Sequence, residues 1–182
     1  MSRGKIKLIY ACDIYRGIGK EGDLLFRLSK DMKHFRNTTK GHVVLMGKNT
    51  MLSLKEKPLP ERVNLVWDTR EKSVLSKQQK EVGFVPCNEE YLEALLENGV
   101  DVYVIGGSYI YNLFWNRADE IIETEVYYHY EDADCFVPEI DTDKYGYFEL
   151  DKWESKDFDQ LSKRDVPFSV TRWIKKEELF NF

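Results

Sequence analysis

Apolar residues along this 182-residue chain fall in short runs whose spacing shifts between every second and every third or fourth position. Ile6, Leu8, Tyr10, Cys12 and Ile14 alternate with a second face that is itself partly apolar. That pattern predicts a strand covered on both sides, as in the middle of a sheet. A glycine-rich loop is expected over residues 16–23. Ser29 then reads as an N-cap, with Leu28, Met32 and Phe35 marking one face of a helix. Residues 42–46 predict a second strand ending at Gly47, followed by a short helix from Asn49 or Thr50.

Residues 63–67 predict a third strand and residues 83–85 a weaker one, while the polar run 76–81 between them reads as a surface loop. Asn88 should cap a helix with Leu92, Leu95 and Leu96 on one face. Residues 102–105 form a strand pattern running into Gly106-Gly107, and Ile110, Leu113 and Phe114 mark the helix beyond. Residues 120–128, 147–158 and 168–173 have strand patterning, the last two as an antiparallel pair. Alternating strands and helices followed by an all-β end predict an α/β fold, a mostly parallel sheet with an antiparallel edge. No repeat, low-complexity tract or linker interrupts the chain, so residues 1–182 are expected to form one domain.

Composition narrows the class. Hydrophobic residues at 42% and charged residues at 32% fit a soluble globular protein, and 14% aromatics suit a ring-lined core or pocket. The net charge is −5 with basic residues scattered, so no nucleic-acid partner is expected. Cys12, Cys87 and Cys135 are widely spaced and form no CxxC, which predicts reduced thiols and a cytoplasmic location. The apolar stretch 6–10 is too short and too charged for a signal peptide or a membrane span. His34, His42 and His129 lack metal-ligand spacing, and neither HExxH nor GxSxG occurs. Metal and serine-nucleophile chemistry are therefore not expected.

Gly17-Ile18-Gly19-Lys20-Glu21-Gly22 matches GxGxxG after a strand. A dinucleotide fingerprint needs its last glycine at the start of a helix, but helix signals begin only at Ser29. The second strand also ends in Gly47-Lys48-Asn49, without an acid for a ribose hydroxyl. The segment is better read as a mobile loop, of a kind that can close over a reacting centre. Two other strand-to-helix turns suit phosphate: Gly106-Gly107-Ser108, and Gly47-Lys48-Asn49-Thr50 with a lysine and a hydroxyl added. Glycines let an anion reach the backbone, and free helix-start N–H groups favour it. Each turn could also be an ordinary tight connection. Two on one sheet edge suggest a dinucleotide.

Asp31 lies about 40° from Phe35 and about 60° from Leu28 around the first helix. It borders the apolar stripe in the first helical turn, so it is either a partner of the helix dipole or an acid facing a pocket.

In this order the pieces resemble dihydrofolate reductase, over roughly Ile6 to Trp173. The resemblance rests on Leu8-Ile9-Tyr10-Ala11, Arg16-Gly17-Ile18-Gly19, Asp31-Met32-Lys33-His34-Phe35 and Met46-Gly47-Lys48-Asn49-Thr50. Pro58-Leu59-Pro60-Glu61-Arg62, Val104-Ile105-Gly106-Gly107-Ser108-Tyr109-Ile110-Tyr111, Thr124 and Asp134-Cys135-Phe136-Val137-Pro138 complete it. It implies a central, mostly parallel eight-stranded sheet with an antiparallel C-terminal edge, about four flanking helices, and a monomer. It also implies NADPH as cofactor, and reduction of 7,8-dihydrofolate to 5,6,7,8-tetrahydrofolate by hydride transfer to C6.

By the same resemblance, Asp31 would bind the 2-amino group and N3 of the pterin, with Thr124 on the same side. A water would carry the proton to N5. Ile9, Ala11, Met32, Phe35, Leu54 and Ile105 would shape the substrate pocket, with Tyr111 beside the nicotinamide. Arg62 would pair with the α-carboxylate of the glutamate tail, a bidentate geometry that lysine cannot reproduce. Gly106 and Gly107 would meet the pyrophosphate with Lys48 and Thr50, and Lys48 and Arg70 would balance the 2′-phosphate. Ala11, Ile18, Gly19, Gly47, Asn49, Ser108, Tyr109, Ile110 and Tyr111 complete the cofactor set. The sequence departs at Leu24-Leu25-Phe26, where the family has a Leu-Pro-Trp type sequence. Phe26 stands in the catalytic aromatic position without an indole N–H. That departure motivates one rival, a non-catalytic or weakly active folate- and NADPH-binding module. A second rival is the related pyrimidine reductase of riboflavin synthesis.

Overall fold

The computed structural model describes residues 2–70, 73, 75–147 and 153–180. The first strand, β1 (Ile6–Asp13), is followed by the short β2 (Gly17–Lys20) and β3 (Asp23–Leu24), and then by α1 (Ser29–Thr39). Next come β4 (Val43–Met46), α2 (Lys48–Ser53), β5 (Val63–Trp67), α3 (Lys77–Glu81) and β6 (Phe84–Cys87). α4 (Glu89–Glu97), β7 (Val102–Gly106), α5 (Ser108–Phe114) and β8 (Glu120–Val126) follow. The chain closes with β9 (Cys135–Phe136), β10 (Tyr145–Tyr147), β11 (Trp153–Asp159), β12 (Arg164–Lys175) and α6 (Lys176–Leu179).

The main sheet runs β10-β12-β8-β1-β7-β4-β5-β6, with β11 added on β12. The strands from β8 to β6 pair in parallel, and β12 pairs antiparallel with β8, β10 and β11. The α/β architecture with an antiparallel C-terminal edge is as the sequence predicts. The described elements exceed the expected count, at six α-helices and a nine-stranded sheet. Because successive side chains of a strand point to opposite faces, the sheet splits the core in two. Leu8, Tyr10 and Cys12 pack with Leu92, Leu96, Ile110, Tyr111 and Phe114 on one face. Ile9 packs on the other with Leu28, Val44, Met51, Ile122 and Phe168, and this second face leads to the site.

Several local expectations are corrected. Residues 16–23 are not a free loop: Gly17 and Gly19 pair with Phe136 and Cys135, and β3-β2-β9 form a small second sheet. Gly22, at φ 79°, turns the β2–β3 hairpin. No helix starts there, so the GxGxxG match is not a dinucleotide fingerprint. Ser29 is not the N-cap of α1; Leu28 is, with no side-chain cap bond. The cap comes from elsewhere in the chain, as the Lys30 N–H donates to Asp157 Oδ2 at 2.8 Å.

Residues 76–81 are not a loop. Ser76 and Gln79 form a reciprocal capping box that starts α3. Of the expected strand 147–158, Tyr147 ends β10 and residues 153–158 lie in β11, while residues 148–152 lie outside the described residues. Among the described residues, no helix is long and apolar enough to cross a membrane.

Candidate active site

Asp31 stands in the first turn of α1, and α1 lies over the face of the sheet that carries Ile9 and Ile122. Thr124 on β8 is in register with Ala11 on β1, and its hydroxyl donates to Asp31 Oδ1 at 2.7 Å. The helix and the sheet centre are therefore joined through this polar contact, beside an apolar cluster. Burial pushes the Asp31 carboxyl above the usual carboxylate range, and the Thr124 hydrogen bond partly offsets that by favouring the ionised form. Thr124→Val removes the donor at nearly constant volume. It should move the Asp31 pKa further up, and a carbon-13 titration of the carboxyl measures it. An unchanged titration would show that the bond carries no charge stabilisation.

Ile9 is buried in this apolar cluster, while Ala11, Phe35, Leu54 and Ile105 pack on it half-exposed. Met32, one helical position beyond Asp31, is 48% exposed. Half-open apolar side chains around a partly desolvated acid make a pocket wall rather than a closed core.

Tyr111 reaches the Gly106 turn from α5, its hydroxyl 3.3 Å from where a Gly106 Cβ would stand. It is buried in the cluster on the other face of the sheet, and its hydroxyl donates to the Ile9 carbonyl at 2.7 Å. The hydroxyl thus stands between the β1 backbone and the Gly106 turn. Phe26 is also buried, its ring 5.3 Å from that of Tyr130, whose hydroxyl donates to Asp159. The aromatic position of the altered loop is thus tied to the β11–β12 hairpin.

The two glycine turns lie together at the C-terminal edge of the sheet. The Gly47 N–H donates to the Gly106 carbonyl at 2.8 Å, linking the ends of β4 and β7. A Cβ on Gly106 or Gly107 would lie 3.4 or 3.5 Å from Thr50 Oγ1, and one on Gly47 would press within 2.8 Å of Ile110 Cγ1. The Gly106-Gly107 peptide is cis. Gly47 and Gly107 occupy the N-caps of α2 and α5 with no side-chain cap, so helix-start N–H groups remain for an anion. These are groups that could hold a pyrophosphate, and the Lys48 side chain beside them is exposed. Asn49 and Tyr109 are likewise exposed, and Ser108 is half-buried. Ile110 is buried beneath Gly47. Arg70 is an exposed side chain 3.6 Å from Asp68, so a nearby acid already engages it.

Arg62 lies against the C-terminal end of α1. Its guanidinium donates to Thr39 Oγ1 at 2.8 Å and to the Pro60 carbonyl at 2.7 Å, with Arg36 close enough to lower its pKa beyond the effect of burial. A guanidinium fixed in this way beside a second cation suits a carboxylate ligand.

Residues that the sequence reading passed over frame the β2 segment. Asp13 accepts N–H bonds from Tyr15 and Gly17 through Oδ1 and from Tyr130 through Oδ2. An aspartate ending a strand is an Asx-turn signal, here to the N–H two residues on, and it could have been read. On the other face, Arg16, Tyr10 and Glu123 form a buried polar cluster.

Comparison with known proteins agrees with this geometry. The family model for dihydrofolate reductase matches residues 5–173. The dihydrofolate reductase of Staphylococcus haemolyticus is 32% identical over 148 residues, covering 81% of this chain and 85% of that protein. Dihydrofolate reductase HdrB of Haloferax volcanii is 33% identical over 176 residues, covering 94% and 89%. A solved dihydrofolate reductase from Enterococcus faecalis, complexed with NADP(H) and RAB-propyl, superposes with a TM-score of 0.75 at 23% identity. It covers 96% of this chain and 98% of its own, a likeness of fold. A match over nearly the whole length places the chain in the dihydrofolate reductase family.

Proposed function

We propose that this chain reduces 7,8-dihydrofolate to 5,6,7,8-tetrahydrofolate, with Asp31 controlling protonation of N5 through a water. NADPH, when bound, supplies the hydride that adds to C6. The observation that carries the reading is the half-buried Asp31, bonded to Thr124, beside an apolar cluster with half-exposed members. In this reading the ionised carboxylate accepts from the 2-amino group and N3 of the pterin, and the Thr124 hydroxyl fixes its orientation. Ile9, Ala11, Phe35, Leu54 and Ile105 exclude water from the ring, with Met32 at the mouth. Gly47, Gly106, Gly107 and Thr50 accommodate the pyrophosphate, and Lys48 at the rim meets the 2′-phosphate. Arg62 holds the α-carboxylate of the glutamate tail.

The raised pKa of Asp31 suits this role, because a carboxyl that exchanges its proton nearer to neutrality is a better acid at working pH. The family membership and the Arg62 position favour the folate over the pyrimidine reading. The test is NADPH consumption with dihydrofolate and, separately, with the ribosylated pyrimidine of riboflavin synthesis. Turnover of the pyrimidine alone would replace this reading. NADPH binding without turnover of either would leave a binding module.

Arg62→Lys keeps the charge but loses the planar fork. The KM for dihydrofolate should rise about tenfold with kcat unchanged, a loss of uniform binding. Steady-state kinetics with a folate analogue lacking the glutamate tail provide the control, since that substrate should not distinguish the variant from wild type.

A further inference from the structure

Beneath the sheet, on the face away from Asp31, Tyr10 on β1 and Glu123 on β8 stand opposite one another in register. The Tyr10 hydroxyl donates to Glu123 Oε2 at 2.7 Å. Arg16, just before β2 and at φ 70°, turns its side chain into this pair. Its Nη1 donates to the same carboxylate oxygen, and its Nη2 donates to the Tyr10 hydroxyl at 2.9 Å. Nε and Nη2 also donate to the Pro138 carbonyl, at 3.1 and 2.7 Å. All three residues are less than a tenth exposed. Burial, and then the Glu123 charge, push the Tyr10 pKa well up, so the phenol remains a donor.

Stability alone is a poor reason for this cluster, since an apolar set of the same volume usually serves as well. What the cluster does fix is backbone. Arg16 precedes β2, Pro138 follows β9, and the Arg16 carbonyl also accepts from the Val137 N–H at 3.0 Å. Between these grips β2 and β9 pair, with Gly19 opposite Cys135. The Cys135 thiol lies near enough to Ser108, the first residue of α5 beyond the Gly106-Gly107 turn, for that side chain to act on its pKa. A continuous path of contacts therefore runs from the buried cluster through β2 and β9 to the edge of the cradle.

We infer that Arg16 is a positioning residue: through its buried pair with Glu123 it sets where Ile18 and Gly19 stand beside the dinucleotide cradle. The effect on catalysis rests on the cofactor reading given above, whereas the mechanical coupling does not. The clamp acts on the dinucleotide side, since Glu123 and Thr124 are successive residues that point to opposite faces of β8.

The test uses two variants of the full chain. Tyr10→Phe/Arg16→Met/Glu123→Leu removes every polar group of the cluster, leaving no buried charge unpaired. Arg16→Lys keeps the charge but cannot span Glu123, Tyr10 and Pro138 together. For the triple variant, NADPH affinity read by fluorescence quenching should fall about tenfold, with Arg16→Lys between it and wild type. Amide exchange, measured without ligand, should quicken at residues 18–20 and 135–137 but stay unchanged in β4 and β7. A folded triple variant with wild-type exchange at those residues overturns the inference, as does exchange that quickens uniformly over the sheet. Should the triple variant fail to fold, Arg16→Lys decides: wild-type exchange and affinity overturn the clamp, and local loosening supports it. If wild type binds NADPH but leaves dihydrofolate unreduced, the functional reading fails while the exchange result still decides the clamp.

Discussion

Asp31→Asn is expected to lower dihydrofolate reduction at neutral pH by about a hundred- to ten-thousand-fold, the range for losing a positioned acid. The substitution is nearly isosteric, and its amide oxygen can still accept the 2.7 Å bond from Thr124. Pocket shape is therefore kept while the charge that holds the 2-amino group and N3, and the titration that governs N5, are removed. In wild type the hydride-transfer rate should fall as pH rises through the raised Asp31 pKa, because the protonated site is lost. In the variant that limb should disappear. Pre-steady-state measurement of NADPH oxidation over a pH series reads both effects, and an unchanged limb would remove Asp31 from the controlling position.

Stability should move the other way. Burial raises the folded-state pKa of Asp31 above its ordinary 3.8, so below 3.8 the acid is protonated in both states and the fold bears no buried charge. That advantage is lost as pH rises from 3.8 through the raised value, where the folded protein must hold a half-buried carboxylate. Asparagine carries no such charge. The variant should therefore melt at or above the wild-type temperature at neutral pH, while melting alike in strong acid.

Gly106→Ala should have the second largest effect, acting on the cofactor. Gly106 has φ 124°, a conformation that L-residues adopt only at a cost of about 1–3 kcal/mol. The new Cβ would lie 3.3 Å from the Tyr111 hydroxyl and 3.4 Å from Thr50 Oγ1. Either the turn shifts, or Tyr111 gives up its bond to the Ile9 carbonyl and disturbs the strand beneath the pocket. NADPH affinity should weaken about ten- to a hundredfold, together with the loss of stability. Gly41→Ala is the control, because Gly41 also has a positive φ, 78°, but nothing lies within 4 Å of its Cβ position. It should lose stability and keep NADPH affinity. Equal affinity in the Gly106 variant would dissociate the turn from cofactor binding.

The elements that were legible in the sequence are those whose signal is local. Alternation in β1, the β4 and β7 runs ending in glycine, and the Asn88 cap of α4 are read within one window, and each is present. Ser76 with Gln79 carried a capping-box signature too, but the charge around it masked the helix. The β2–β9 pairing was not legible, since two glycines in a four-residue strand give no apolar period and their partners lie more than a hundred residues away.

The cap of α1 was lost for a similar reason. Ser29 is the expected residue type, but Asp157 reaches the helix start from the distant β11. At the site, helical phase put Asp31 on the border of the apolar stripe, and the Thr124 contact lies on that border. Phase could not tell which face of the sheet Tyr111 would enter, because α5 is short and buries Ile110, Tyr111 and Phe114 together. The Arg16–Glu123 pair joins charges 107 positions apart, and neither residue carries a local mark of its partner.

The position of β1 in the sheet order has a consequence for synthesis. Its neighbours are β7 and β8, so Ile6 first meets Val102, and Asp13 waits for Val126. At a translation rate of about 5–20 residues per second, this strand spends on the order of ten seconds outside the ribosome without a partner. Through that interval its Leu8, Ile9, Tyr10 and Cys12 side chains are open to chaperones and to other nascent chains. Lys7 interrupts the apolar run near its start, and in the finished fold its ammonium meets Asp101 at 3.0 Å. Before the sheet closes, the same charge opposes edge-to-edge pairing with a second copy. One side chain thus guards the strand against misassembly early and is neutralised once the sheet is complete.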